Sequence, residues 1–199
     1  MSWLEPLAVA TGIVSVYLSV RQNIWSWPTA LVNVTLYFFV FRAANLYADM
    51  GLQVFYFILS VYGLYEWLYG GEKRTELKVS RITPRVAGTL LAITVAGVAG
   101  LDAVLRRTPD TVPFLDSVTS TASIVGQWMM TRKILENWTV WIAVNVLSIG
   151  MYVYKGLNQT AGLYAGFLVL AIMGYVKWHR SYTADRASVG QPVGAVPAA

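Results

Sequence analysis

Seven long apolar runs, parted by short polar stretches, organise the 199-residue chain. They cover residues 4–20, 24–41, 50–68, 84–105, 112–130, 135–154 and 160–178. Crossing about 30 Å of hydrocarbon as a helix takes ~17–25 residues, and each run meets or nearly meets that length. Arg21, Gln22 and Asn23 part the first two runs, and residues 42–49 part the second and third. Gly70 and Gly71, tolerant of positive φ, end the third. A hydrophilic loop follows, and Pro84 suits the first turn of the fourth helix. Pro109 and Pro113 mark the entry to the fifth. The stretch from residue 183 is rich in Gly, Pro, Ala and Ser, which predicts a tail without fixed structure. The pattern predicts an all-α membrane protein with seven transmembrane helices.

Composition agrees. The chain is 56% hydrophobic and 13% charged, with a mean hydropathy of +0.53. A soluble domain carries about a quarter charged residues, so lipid must solvate much of this surface. The 8 Trp and 12 Tyr suit membrane–water interfaces, where one end of the ring is apolar and the other wet. There is no cysteine and one histidine, which removes thiol chemistry and nearly excludes a histidine metal site or triad. No Lys or Arg precedes the first run, so it reads as a retained helix rather than a secretory signal.

The net charge of +5 comes from residues between the runs. That points to membrane topology rather than to nucleic acid. Arg42, Arg106, Arg107 and Lys155 fall at one end of the predicted helices, and the other 11 basic residues at the opposite end. The richer end is expected in the cytoplasm. That places the N-terminus outside and the C-terminus inside.

The chain also repeats itself. Pro28 to Val34 reads PTALVNV and Thr139 to Val146 reads TVWIAVNV, which aligns Asn33 with Asn145 at an offset of 112. Gly63-Leu-Tyr-Glu-Trp67 aligns with Gly174-Tyr-Val-Lys-Trp178 at 111. Helices 1–3 and 5–7 then read as two copies of a three-helix unit, with helix four as connector. The expected organisation is a first bundle over 1–69, a cytoplasmic loop and connector over 70–111, a second bundle over 112–180 and a disordered tail over 181–199. A single connecting helix gives the copies the same orientation. Parallel repeats of this kind hold substrate near the midplane, between the halves.

A polar side chain in hydrocarbon is costly unless it faces the bundle interior. Asn33, Gln53, Gln127 and Asn145 all lie inside predicted spans. Each is a candidate ligand for substrate or a helix–helix glue residue worth about 0.6 kcal/mol. Trp138, Trp141 and Asn145 form W-x-x-W-x-x-x-N, a spacing that puts all three on one helical face. Two indoles and an amide suit a flat, polar, cationic ring; the alternative is a pair of interface tryptophans, to which Trp138 is the more open. Asp102, Asp116 and Glu66 sit near helix ends, and no chain of titratable groups crosses the spans. Proton coupling would need one, so passive movement is expected, with carbonyl-bound sodium as the alternative. An enzyme would need convergent nucleophile, base or metal ligands, and the chain lacks them.

These residues resemble the PnuC-type nicotinamide riboside transporter family. The resemblance rests on Trp25-Ser26-Trp27-Pro28 with Asn33, on LYADMGLQ from Leu46 to Gln53, and on YGLYEW from Tyr62 to Trp67. It continues with QWMMTRK from Gln127 to Lys133 and ENWTVWIAVN from Glu136 to Asn145. It implies a 3+1+3 fold related to the SWEET sugar transporters and a homotrimer in the bacterial inner membrane. It also implies facilitated diffusion of nicotinamide riboside, trapped inside by a cytoplasmic riboside kinase, with no cofactor, metal or nucleic acid. The implied binding residues are Trp138, Trp141, Asn145 and Gln53, with Asn33 and Gln127 after them. No second LYADMGLQ precedes helix seven, so the two halves are expected to contribute different groups. Relatives carrying thiamine or another vitamin leave the flat cation open at this point.

Overall fold

The computed structural model describes residues 4–43, 47–109 and 111–189. Seven helices form: α1 (Leu4–Val20), α2 (Ser26–Ala43), α3 (Tyr47–Tyr69), α4 (Pro84–Leu105), α5 (Pro113–Thr131), α6 (Asn137–Tyr154) and α7 (Asn158–Val189). Their starts follow local chemistry. Pro84 opens α4 with its fixed φ, and the Thr83 hydroxyl accepts from the Val86 N–H at 3.4 Å. Pro113 likewise opens α5 with its fixed φ, there without a side-chain cap. Gly156, at φ 74°, follows the end of α6.

The outer surface is apolar where a water-soluble bundle would be polar. Leu91, Val95 and Val169 are more than half exposed, whereas Ser60, Ser117, Thr131, Asn137, Asn145 and Ser148 are buried beside an apolar core. Apolar groups outside with small polar groups inside is the arrangement a hydrocarbon solvent selects. By length and hydropathy alone, α4 and α7 are long and apolar enough to cross a membrane. α4 packs principally against α5, and its residues are largely exposed. The remaining six helices pair as α1 with α2, α2 with α3, α5 with α6, α6 with α7, α3 with α5 and α1 with α7.

One end of the bundle is closed by four tryptophans. Trp27 meets Trp67 edge to face at 5.4 Å and 89°, and Trp138 meets Trp178 at 5.4 Å and 88°. Trp67 and Trp178 join the pairs at 5.8 Å. The Trp67 indole donates to the Met130 carbonyl at 3.0 Å, and the Trp178 indole donates to the Ser19 carbonyl at 3.0 Å. Each of these correspondences, and Gly63 with Gly174, spans 111 positions. So do Gln22 and Lys133, both at positive φ in the turns before α2 and α6. The offset of 112 expected for Asn33 and Asn145 is therefore corrected. In the observed register Asn145 matches Val34, and Asn33 matches Val144.

The loop after α3 was expected to be merely hydrophilic. It lies across the closed end and is bonded to the turn before α6. Ser80 N–H donates to the Lys133 carbonyl at 3.0 Å, Leu135 N–H to the Ser80 carbonyl at 2.8 Å, and Ile82 N–H to Glu136 Oε2 at 2.9 Å. Arg132 pairs with Glu66 at 2.9 Å. Lys133 is 1% exposed, stands 4.6 Å over the Trp67 ring and pairs with Glu76 at 3.1 Å. Burial pulls its ammonium below the usual lysine range, and Glu76 works against that fall.

The tail expected from residue 181 is helical to Val189 instead. Nothing between Lys177 and Val189 is a Gly or Pro, and the extension is held at its sides. Tyr182 packs on the tryptophan cluster, and Lys78 approaches Asp185 at 3.7 Å. Residues 190–199, and Leu46 at the head of the LYADMGLQ block, lie outside the described residues.

Candidate functional site

A cavity of about 540 Å³ opens between the six packed helices. Its floor is the tryptophan plug, through Trp27 and Trp138 with Met130, Ser19 and Ser26. Tyr37, Tyr152 and Tyr164 line it toward the opposite end. Sites for small molecules occupy ~300–1,000 Å³, so the space suits a nucleoside-sized ligand. All six residues singled out from the sequence line it: Asn33, Gln53, Gln127, Trp138, Trp141 and Asn145.

Their environments differ. Asn33 Nδ2 donates to the Ala8 carbonyl of α1 at 2.6 Å. Gly12 leaves room for this contact, since a methyl there would sit 3.0 Å from the amide nitrogen. Half of the Asn33 amide is thus committed to tying α1 to α2. Asn145 is 4% exposed, and its amide makes no hydrogen bond among the described residues. Gln53 and Gln127 also make no side-chain hydrogen bond among the described residues while lining the cavity. Three amides therefore stand ready to pair a ligand.

Trp138 is 1% exposed, which excludes the interface-anchor reading. Its ring edge rests on Gly174, as Trp27 rests on Gly63. Trp141 lies against Gly126, where a methyl would stand 3.4 Å from its ring. The indole N–H groups of Trp27, Trp138 and Trp141 are buried with no acceptor among the described residues. A buried donor left unpaired costs ~1–3 kcal/mol, so these rings are poised donors as well as π surfaces.

The tryptophan pairs repeat at an offset of 111, and the cavity lining does not. At the observed register Gln53 corresponds to Tyr164, Gln127 to Val16, Trp141 to Ala30 and Asn145 to Val34, and all of these line the cavity. Each half gives a polar or aromatic group where the other gives a different one. Reading helix two from the sequence missed Trp27; carrying the 111 offset back from Gly63 would have paired it with Trp138. Ser60, Ser123 and the tyrosines Tyr37, Tyr56, Tyr152 and Tyr164 were also missed. Serine and tyrosine are too common in apolar helices for sequence alone to pick them out.

The lining carries another property: no Asp, Glu, Lys, Arg or His is found among the described residues that form it. No group of three His, Cys, Asp or Glu side chains among the described residues could hold a metal.

Comparison with known proteins agrees with this geometry. The family model described as nicotinamide mononucleotide transporter matches residues 2–180. The chain belongs to that family. Within it, the chain is 29% identical over 207 residues to the nicotinamide riboside transporter PnuC of Escherichia coli (strain K12), covering 91% of this chain and 87% of that protein. It is 22% identical over 180 residues to the riboflavin/roseoflavin transporter RibM of Streptomyces davaonensis, covering 88% and 84%. The crystal structure of the vitamin B3 transporter PnuC superposes with a TM-score of 0.71 at 28% identity, covering 92% of this chain and 83% of that one. The family and the fold are those of transporters, and the chain is a transporter rather than an enzyme.

Proposed function

We propose that this protein carries nicotinamide riboside across the bacterial inner membrane by facilitated diffusion. The observation that carries the reading is the uncharged, amide- and indole-lined cavity. A phosphate stripped of water needs Arg or Lys partners, and none stands there. A mononucleotide would enter at a large desolvation cost, whereas the riboside leaves only a delocalised ring cation, two ribose hydroxyls, a hydroxymethyl group and an amide. Trp138 and Trp141 suit the ring, and Asn145, Gln53 and Gln127 suit the amide and ribose. Asn33 combines a helix tie with one free acceptor.

Among the described residues the same lining offers no carboxylate or imidazole relay for a coupled proton, which supports uniport. Net uptake then depends on removal of the cargo inside, as phosphorylation by a riboside kinase would do. The tryptophan register supports a 3+1+3 arrangement of two like-oriented halves. The distribution of basic residues supports a cytoplasmic plugged end and an outside N-terminus. The family resemblance supports a homotrimer. A second reading, riboflavin as cargo, is favoured by the likeness to RibM; thiamine offers a comparable flat cation.

Purified protein in sealed liposomes should take up nicotinamide riboside saturably with no ion gradient imposed. Nicotinamide mononucleotide should neither enter nor compete. Strict need for a proton or sodium gradient would break the uniport reading, and equal uptake of the mononucleotide would break the cargo assignment. Titrations with thiamine and riboflavin on the same preparation separate the alternatives.

A further inference from the structure

Outside the central cavity, a second hollow of about 470 Å³ lies on the flank of the bundle, between α3, α4 and α5. It exists because α4 leans on α5 and leaves a gap toward α3. Phe55 and Leu59 form one wall, Leu90 and Ile93 the second, and Ile124 the back. Among the described residues that line it, Arg85 alone is charged, in the first turn of α4. The Arg85 guanidinium has no ion-pair partner among the described residues, while Arg81 beside it is held by Glu136 at 2.7 Å. Trp128, in the last turn of α5, lines the hollow close to the same end.

The dimensions are those of one leaflet. Arg85 and Ile93 are eight residues apart on α4, or about 12 Å at ~1.5 Å per residue. Half of a bilayer's hydrocarbon is about 15 Å. An apolar slot of that depth, ending in an unpaired guanidinium and an indole, matches an acyl chain joined to an anionic phosphate. Trp and Arg at the headgroup level are the groups that anchor there, and basic pockets between transmembrane helices take anionic headgroups.

We infer that the α3–α4–α5 groove is a specific site for an anionic phospholipid, its chain between Leu59 and Leu90 and its phosphate on Arg85. The inference rests on the membrane reading of this surface and is independent of the cargo. The lipid completes the contact that α4 lacks with α3, so the connecting helix is seated by lipid on one side and by α5 on the other.

The test uses full-length protein from membranes containing phosphatidylglycerol and phosphatidylcholine in equal amounts, with retained lipid counted by native mass spectrometry. The unaltered chain should retain phosphatidylglycerol preferentially. Arg85→Gln should lower that retention about five-fold, the factor one basic residue at a membrane surface supplies. Leu90→Trp, which fills the slot and leaves Arg85 in place, should lower it as much. Arg107→Gln, at the opposite end of the bundle, should leave it unchanged. Equal loss in Arg107→Gln, or none in Arg85→Gln, overturns the site. If Leu90→Trp instead alters the mass of the assembly with lipid retained, the groove belongs to a second copy of the chain. Retention of no lipid of either kind, or of both lipids without preference, would also overturn the site.

Discussion

Alanine in place of Asn145 should weaken nicotinamide riboside binding by about ten- to a hundred-fold while leaving the fold intact. Asn145 is 4% exposed and its amide pairs with nothing among the described residues. Its removal therefore costs the free protein little. In the complex the loss is different, because a desolvated cargo group would be left without its partner. Such a loss costs ~1–3 kcal/mol, and each ~1.4 kcal/mol is tenfold in affinity. Calorimetric titration in detergent would read it directly. Asn33→Ala supplies the contrast: its amide N–H already bonds the Ala8 carbonyl at 2.6 Å, so that variant should lose thermal stability more than affinity. Unchanged affinity in Asn145→Ala would remove Asn145 from the binding site.

A single methyl at Gly174 should cost ~1–3 kcal/mol of stability, the usual range for overpacking. The added carbon would lie 2.5 Å from Trp138 Cε2 and 2.6 Å from its neighbours in the ring, far inside contact distance. Trp138 cannot yield easily, because it is edge-packed on Trp178 and the latter is bonded to the Ser19 carbonyl. The strain should thus reach the cavity floor and lower affinity as well. Trp138→Phe in the Gly174→Ala background should recover part of the lost stability. Thermal unfolding of the four proteins of that cycle gives the coupling, which is expected to be large for residues in contact. Additive losses would show that Gly174 and Trp138 act independently. Gly63→Ala should behave alike, since Gly63 meets Trp27 in the same manner.

Most helix positions were readable because hydrocarbon imposes a simple rule of length and apolarity. α1 and α4 begin and end at the residues expected, and the other starts fall within three residues. α7 was misjudged at its far end because its last turns leave the apolar pattern while remaining helical, held by Tyr182 and Asp185. The register read from Asn33 and Asn145 is one position off the offset of 111 that the tryptophan pairs keep. Asn33 on α2 and Asn145 on α6 share a residue type but lie one position apart at the offset of 111, and only the tryptophan geometry separates the two offsets. The six candidate residues were legible as polar or aromatic groups in apolar spans, and they do meet in one cavity. What each does there was not legible, because the bond from Asn33 to Ala8 depends on a helix twenty-five residues earlier. The buried Lys133 was invisible for a similar reason: a basic residue in a turn reads as solvated until Trp67 and the loop after α3 are placed over it.

The lack of charge in the cavity lining also decides how the membrane's electrical field acts on transport. With no ionised side chain among the described residues that line the cavity, that lining moves no charge of its own as the cavity changes exposure. The field acts on the cargo alone. A ribosylated pyridinium carries one positive charge, and one charge gains about 2.3 kcal/mol per 100 mV. That equals roughly a fifty-fold inward concentration ratio at no expense of a co-transported ion. A neutral flavin passing through the same cavity would gain nothing. A voltage clamped across the liposome membrane would therefore tell the two cargoes apart by current alone.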